Sequence, residues 1–335
     1  MTPSAGRAVL ALGAGGLGAM AAVALSVPAG ALLGATLAVT ALALVGGRPQ
    51  VPDPLRDVAF ATIGLTLGAG ITPDILSDLA RWPASLAAMV VALAILTAAA
   101  AVTLHRLYRL DRRTALLATS PGALSYTLAL SVEGRADAPA VAVVQSVRLL
   151  AITLLVPPLL TLGDPTSQPS DAASAMGIPA TLVLLAVACL AGPLFVRAKI
   201  PGAWLMAGVS VSGAAHLAGW VEGRPDPRLL ALGFTIAGAV IGARFADISR
   251  AQLRMMAGAA AIVAAIAVGG SFLLSWPVAA WLDLAHGQVW VAFAPGGVEA
   301  MAAIAVALGY DPVYVAVHHM VRLLILFAVL PIALR

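Results

Sequence analysis

Apolar runs of roughly 17 to 25 residues follow one another along this chain, separated by short polar turns. That is the length an α-helix needs to cross a hydrocarbon core of about 30 Å. Twelve such segments lie near 8–25, 28–45, 55–73, 84–104, 114–132, 138–162, 177–196, 201–218, 228–245, 254–276, 288–308 and 312–334. They predict an all-α integral membrane protein. A membrane β-barrel would instead show alternating segments of about ten residues, a pattern this sequence lacks. Composition agrees, because 10% of the 335 residues are charged, against about 25% in soluble domains.

No stretch outside the apolar runs is long enough to fold as a soluble domain. The net charge of +4 comes from arginines scattered among short loops, so nucleic acid is not an expected partner. Cys189 stands alone within an apolar run, which leaves no intramolecular disulfide and no cysteine-rich metal site. The opening MTPSAGR and its apolar sequel could pass for a signal peptide. They are read as a retained first helix, because the hydrophobic pattern continues without a mature soluble domain.

The chain is duplicated. Shifted by 174 residues, Pro121-Gly122 falls on Pro295-Gly296, Asp137 on Asp311, Arg148 on Arg322 and Pro157 on Pro331. Over 121–157 against 295–331 there are 13 identities in 37 positions without a gap. The same shift lays Gly64/Gly68 on Gly238/Gly242, and both pairs read as small-xxx-small packing surfaces. The expected organisation is repeat 1 (1–160), a linker (161–177) rich in turn formers, and repeat 2 (178–335).

Segments 114–132 and 288–308 each carry a Pro-Gly break near the middle, which predicts two half-helices joined at a tip. The rival is a kinked but continuous spanning helix. Loop charge arbitrates, because cytoplasmic loops are enriched in Lys and Arg. If all twelve segments cross, the bias is poor. If the two broken segments dip in and return, fourteen Lys/Arg lie inside and only Arg81, Arg224 and Arg228 outside. The expected topology is therefore two inverted repeats, each of five spanning helices plus one re-entrant, broken helix. Both termini are then cytoplasmic and the linker is external.

Arg148 and Arg322 each lie eleven residues past an aspartate that starts a helix. This is roughly 16 Å along the axis, near the bilayer midplane. Intramembrane charge is expensive and commonly marks a site or pathway; the bland alternative is an arginine tying down a loop carbonyl or a carboxylate. Gln145 and His319 stand three residues earlier on the same faces. His318 and His319 are adjacent in sequence and poorly placed as a chelating pair, so no metal site and no cofactor are expected.

The tips themselves are the other candidates. A half-helix that begins after a break exposes unpaired N–H groups and the positive end of its dipole, a ready anion site. Around the first tip stand Thr119, Ser120, Pro121, Gly122, Ser125 and Tyr126; at the second stand Pro295, Gly296, Gly297 and Glu299. Glu299 and His319 are the candidates for handling a coupling proton, with a Glu299–arginine ion pair as the structural alternative.

SPGALSYTLALSVEGRADAPAVAVVQSVR and its echo APGGVEAMAAIAVALGYDPVYVAVHHMVR resemble the duplicated signature of the AbrB-type membrane protein family. The resemblance covers nearly the whole chain, including the PAGALLG and PGAWLMAG segments, although Tyr126 in the first repeat departs from the second. Proteins of this kind are often labelled regulators of gene expression or ammonia monooxygenases. The family's name is shared with a soluble DNA-binding regulator whose fold cannot fit this sequence. The architecture is similar to inverted-repeat glutamate and citrate symporters.

The expectation is a secondary transporter of a small anionic solute, coupled to H⁺ or Na⁺, in the cytoplasmic membrane of a bacterium. It is not an enzyme, and its partners are the bilayer and the solute, with a homodimer left open. The alternatives are a membrane-embedded regulatory component without net transport and, further off, a metal-dependent membrane oxidoreductase.

Overall fold

A computed structural model of the protein describes residues 5–71, 82–121, 124–163 and 175–334, with the side chain of Ser125 and the burial of Gly163 excluded. Gly122, Arg81, Arg335 and most of the expected linker lie outside the described residues. Within them every regular element is helical, and the one isolated β-bridge joins Ala175 to Arg224.

The first half supplies α1 (Ala5–Ala24), α2 (Gly30–Leu44), α3 (Asp53–Gly68), α4 (Trp82–Leu107), α5 (Arg112–Thr119), α6 (Leu124–Glu133) and α7 (Ala138–Gly163). The second half supplies α8 (Ile178–Arg197), α9 (Ala203–Leu217), α10 (Pro227–Ala243), α11 (Arg250–Ala265), α12 (Ser271–Leu282), α13 (His286–Phe293), α14 (Val298–Ala307) and α15 (Pro312–Ala333). A π turn at Ile266–Gly270 joins α11 and α12 into one long apolar span, Arg250–Leu282. Among the described residues seven helices are long and apolar enough to cross a membrane, and shorter apolar helices accompany them. The protein is an all-α, multi-pass membrane protein.

Local chemistry sets the helix starts. Asp226 accepts from the Arg228 N–H at 2.7 Å, and Pro227 occupies the first helical position of α10, where its missing donor costs nothing. Ser249 and Gln252 form a reciprocal capping box on α11. Ala29 and Gly202, at equivalent places before α2 and α9, both adopt left-handed backbone, with φ of 54° and 63°.

Both segments with a Pro-Gly break are divided into two helices. A shift of 174 carries α5 and α6 onto α13 and α14 at every bound. The first segment also doubles back. At its two ends the Arg113 guanidinium donates to the Gly134 carbonyl at 3.2 Å, and the Asp137 N–H donates to the Thr114 hydroxyl at 2.9 Å. A continuous helix of this length would hold its ends roughly 30 Å apart, so the kinked spanning alternative does not describe segment 114–132.

The chain forms two compact units, and each draws on both halves. One comprises Met1–Ala80, Pro157–Ala246 and Val298–Tyr314; the other comprises Arg81–Val156, Asp247–Gly297 and Val315–Arg335. Sequence repeats and compact units are thus different divisions of the same chain.

The first unit is built on an exchanged contact between halves. α3 packs on α9, and its counterpart α10 packs on α2, the counterpart of α9. Glycine makes both crossings close. A Cβ on Gly64 would strike the Leu205 carbonyl and one on Gly238 the Leu32 carbonyl, while Gly68 and Gly242 meet Val209 and Thr36. Large apolar side chains such as Leu17, Met20, Leu190 and Leu194 stand exposed on α1 and α8, the exterior expected where lipid is the solvent.

Candidate functional site

The two arginine-bearing helices start alike. The Asp137 carboxylate accepts from the Ala140 N–H at 2.9 Å at the head of α7, and Asp311 accepts from Val313 and Tyr314 at 2.8 and 3.2 Å at the head of α15. From these fixed starts the helical repeat carries Arg148 and Arg322 into the interior of the second unit, where they are 4% and 1% exposed.

Each guanidinium closes the end of the half-helix before a tip. Arg148 Nη1 donates to Thr119 O, the last residue of α5, at 2.9 Å. Arg322 Nη1 donates to Ala294 O at 2.9 Å, and its Nη2 to Gly296 O at 2.6 Å. The last carbonyls of a helix have no intrahelical partner and carry its negative dipole end, so a buried cation suits them.

Gln145 and His319 act at the same level. Gln145 Nε2 donates to Leu117 O at 2.8 Å and to the Thr127 hydroxyl at 2.9 Å. His319 Nε2 lies 3.0 Å from Val291 O, the residue equivalent to Leu117. A carbonyl only accepts, so Nε2 carries the hydrogen, and in the neutral ring Nδ1 is the bare nitrogen. That Nδ1 is buried with no partner among the described residues.

A cavity of about 10 Å³ lies among Thr119, Pro121, Arg148, Pro295 and the π turn at Ile266 and Ala267. It brings the prolines of both tips beside one arginine, with room for about one water. Arg148 and Arg322 are both buried within this unit. Neither forms an ion pair among the described residues.

The remaining expected residues divide. The hydroxyls of Thr119 and Ser120 are engaged with carbonyls of their own helix, at Ala115 and Leu116, 2.8 and 2.7 Å away. Tyr126 packs edge-on against Phe327 and donates to its carbonyl at 3.4 Å. Gly297 ends the second unit's share of the tip, and Glu299 belongs to the first unit. Glu299 there lines a separate cleft with Arg244 and forms no ion pair with it among the described residues. Gly122 and the Ser125 side chain lie outside the described residues.

Two features escaped the sequence reading. The π turn was signalled by Gly269-Gly270 within an apolar run, which reads equally as a plain helix. Arg244 was counted only as a loop charge, although it caps the end of α10 two residues after Gly242.

The family model described as "Transition state regulatory protein AbrB" matches residues 31–335. The chain belongs to this AbrB family. A relative, the "Uncharacterized protein YhjN" of Bacillus subtilis (strain 168), is 25% identical over 292 residues, which cover 80% of this chain and 75% of the relative. The AbrB match includes both tips and both arginine helices.

Proposed function

We propose that this AbrB-family protein is a secondary carrier that moves a small carboxylate-bearing anion across the cytoplasmic membrane. Transport is coupled to H⁺ or Na⁺, and the solute is not chemically changed. One observation carries the reading: a doubled-back, Pro-Gly-broken segment places its tip beside a buried guanidinium that no carboxylate neutralises among the described residues. Irregular backbone at membrane depth is tolerated only where it is buried in protein or lines a cavity. Broken helices at a repeat interface are the substrate-site device of inverted-repeat carriers. This is an argument from architecture, and the arginines supply its chemistry.

The water-sized cavity is an occluded form in this reading. A carboxylate enters when the tips part and Arg148 exchanges the Thr119 carbonyl for substrate oxygens. His319 offers its bare Nδ1 to a coupling proton, and Glu299 is the second candidate. Both termini face the cytoplasm.

The test is uptake of a panel of radiolabelled mono- and dicarboxylates by proteoliposomes, with Na⁺ or pH gradients imposed. Arg148→Gln and Arg322→Gln should each lower uptake at least tenfold while size-exclusion profiles stay monodisperse. Arg→Lys at either site keeps the charge but loses the planar fork, and should recover part of the uptake. Uptake unchanged in both Gln variants overturns the assignment. A second reading, regulation without net transport, draws support from the family's description and assigns the basic loop 105–113 to a partner. It predicts that the wild-type protein transports none of the panel.

A further inference from the structure

The first unit holds a cleft of about 320 Å³ that the tip arginines do not enter. Its charged lining is Arg56, Asp57, Arg244 and Glu299, and Phe60 and Trp204 supply aromatic surface. Arg56 is already committed. Its Nη1 donates to Asp53 at 2.8 Å, and its Nε and Nη2 donate to one Asp57 oxygen at 2.9 and 2.7 Å.

Arg244 and Glu299 are different. They line the same cleft, yet neither side chain has a hydrogen bond or ion pair among the described residues. Both are only partly exposed. Among the described residues the cleft therefore presents one cation and one anion without a partner, not close enough to pair with each other.

The frame around them is closely packed. Trp204 lies so close to Gly192 that a Cβ there would collide with the indole. Glu299 is held on α14, whose neighbouring residues Val298 and Ala300 to Ala305 are buried against the unit's own helices. Arg244 sits at the end of α10, where Gly242 presses on α2. The pair is also peculiar to the second half. The residues a shift of 174 places opposite Arg244 and Glu299 are Gly70 and Ser125, so the two charges occur together here and are absent together there.

A monoanion in this cleft would satisfy Arg244 and be opposed by Glu299, and a monocation the reverse. A molecule with both charges a few ångströms apart answers both. We propose that the cleft binds a small zwitterion of the α-amino-acid class, its carboxylate on Arg244, its ammonium on Glu299 and its side chain toward Trp204 and Phe60. Neither tip arginine is in the lining of this cleft, and binding there is read without a transport assay.

Equilibrium binding to the purified full chain tests it by thermal shift and calorimetry in detergent. The probes are L-alanine and L-leucine beside their single-charge analogues: propionate and 4-methylpentanoate, which lack the amine, and ethylamine and isoamylamine, which lack the carboxylate. The amino acids should bind at least tenfold more tightly than either analogue. R244Q should weaken the amino acids at least tenfold, and E299Q likewise, while R7Q, at an exposed arginine of α1 outside both sites, leaves their affinity unchanged. Carboxylates that bind as tightly as the amino acids and are weakened equally by R244Q overturn the proposal, as does no binding by any probe. The wild-type panel decides this even if a variant fails to fold, and it leaves the uptake test independent.

Discussion

A buried guanidinium bonded to carbonyl oxygens keeps its full charge, and the surrounding protein must tolerate it. Arg148 and Arg322 are tolerated because each meets the negative end of a half-helix, which offsets part of the desolvation. The same balance recurs at Asp111, outside the spans, at the head of α5. Burial pushes its carboxyl toward a higher pKa, but the Thr114 hydroxyl and the N–H groups of Thr114 and Arg113 outweigh this and hold it below the ordinary 3.8.

A carboxyl whose folded pKa is depressed stabilises the fold fully above its unfolded pKa. That contribution drains away as pH falls through the lower, folded value. Asp111→Asn keeps a good N-cap but no charge. It should therefore lower the thermal midpoint at pH 7 and converge with wild type as pH drops below about 3.8. Parallel midpoints at all pH values would show that the charge contributes nothing.

At this scale the sequence was informative about identity and poor about partners. Aspartates eleven residues before each arginine located both groups correctly on their helices. Whether a guanidinium meets a carbonyl or a solute depends on where a tip folds back, and no spacing rule contains that. Arg244 is a further case: it was legible as a charge, but its lack of a carboxylate partner among the described residues and its cleft with Glu299 arise only when α10 and α14 are packed.

Between elements the decisive quantity is backbone distance. α3 on α9 and α10 on α2 are one crossing made twice, and each depends on glycines that bring carbonyls within contact of a neighbour's Cα. Gly64→Val must push α3 away from Leu205, and Gly238→Val must push α10 away from Leu32. Overpacking of this kind costs about 1 to 3 kcal/mol or more. Both variants should lower thermal midpoints in detergent by similar amounts, because the two contacts are counterparts. Gly13→Val and Gly16→Val, with open space around the added Cβ, serve as controls and should leave the midpoint near wild type. Losses at the controls equal to those at Gly64 would place the effect in propensity rather than in the crossing. The small-residue spacing that marks these glycines was visible in the sequence, because close approach needs a missing side chain at helical intervals. The π turn at Ile266–Gly270 was not, because one extra residue in a turn leaves an apolar run unchanged.

For the molecule as a whole, the folding of segment 114–132 decides how the later part of the chain is threaded. If that segment crossed the bilayer, Arg109 and Arg135 would face opposite sides, and every loop after Arg135 would change sides with it. If it dips and returns, they share one side and residue 167 lies on the other. The hydrogen bonds from Arg113 to Gly134 and from Asp137 to Thr114 tie the segment's ends together, which argues for return. Loop charge argues the same way, because fourteen Lys/Arg fall inside only in this arrangement. With Cys189 replaced by Ala, single cysteines at Arg109, Arg135 and Ser167 can be probed in intact cells and in inverted vesicles. An impermeant maleimide should label Ser167→Cys from outside, and Arg109→Cys and Arg135→Cys only in inverted vesicles. Labelling of Arg135→Cys from outside, opposite to Arg109→Cys, would make the segment a crossing. It would then remove the re-entrant tip on which the carrier reading depends, while leaving the Arg244–Glu299 cleft to stand or fall by its own ligands.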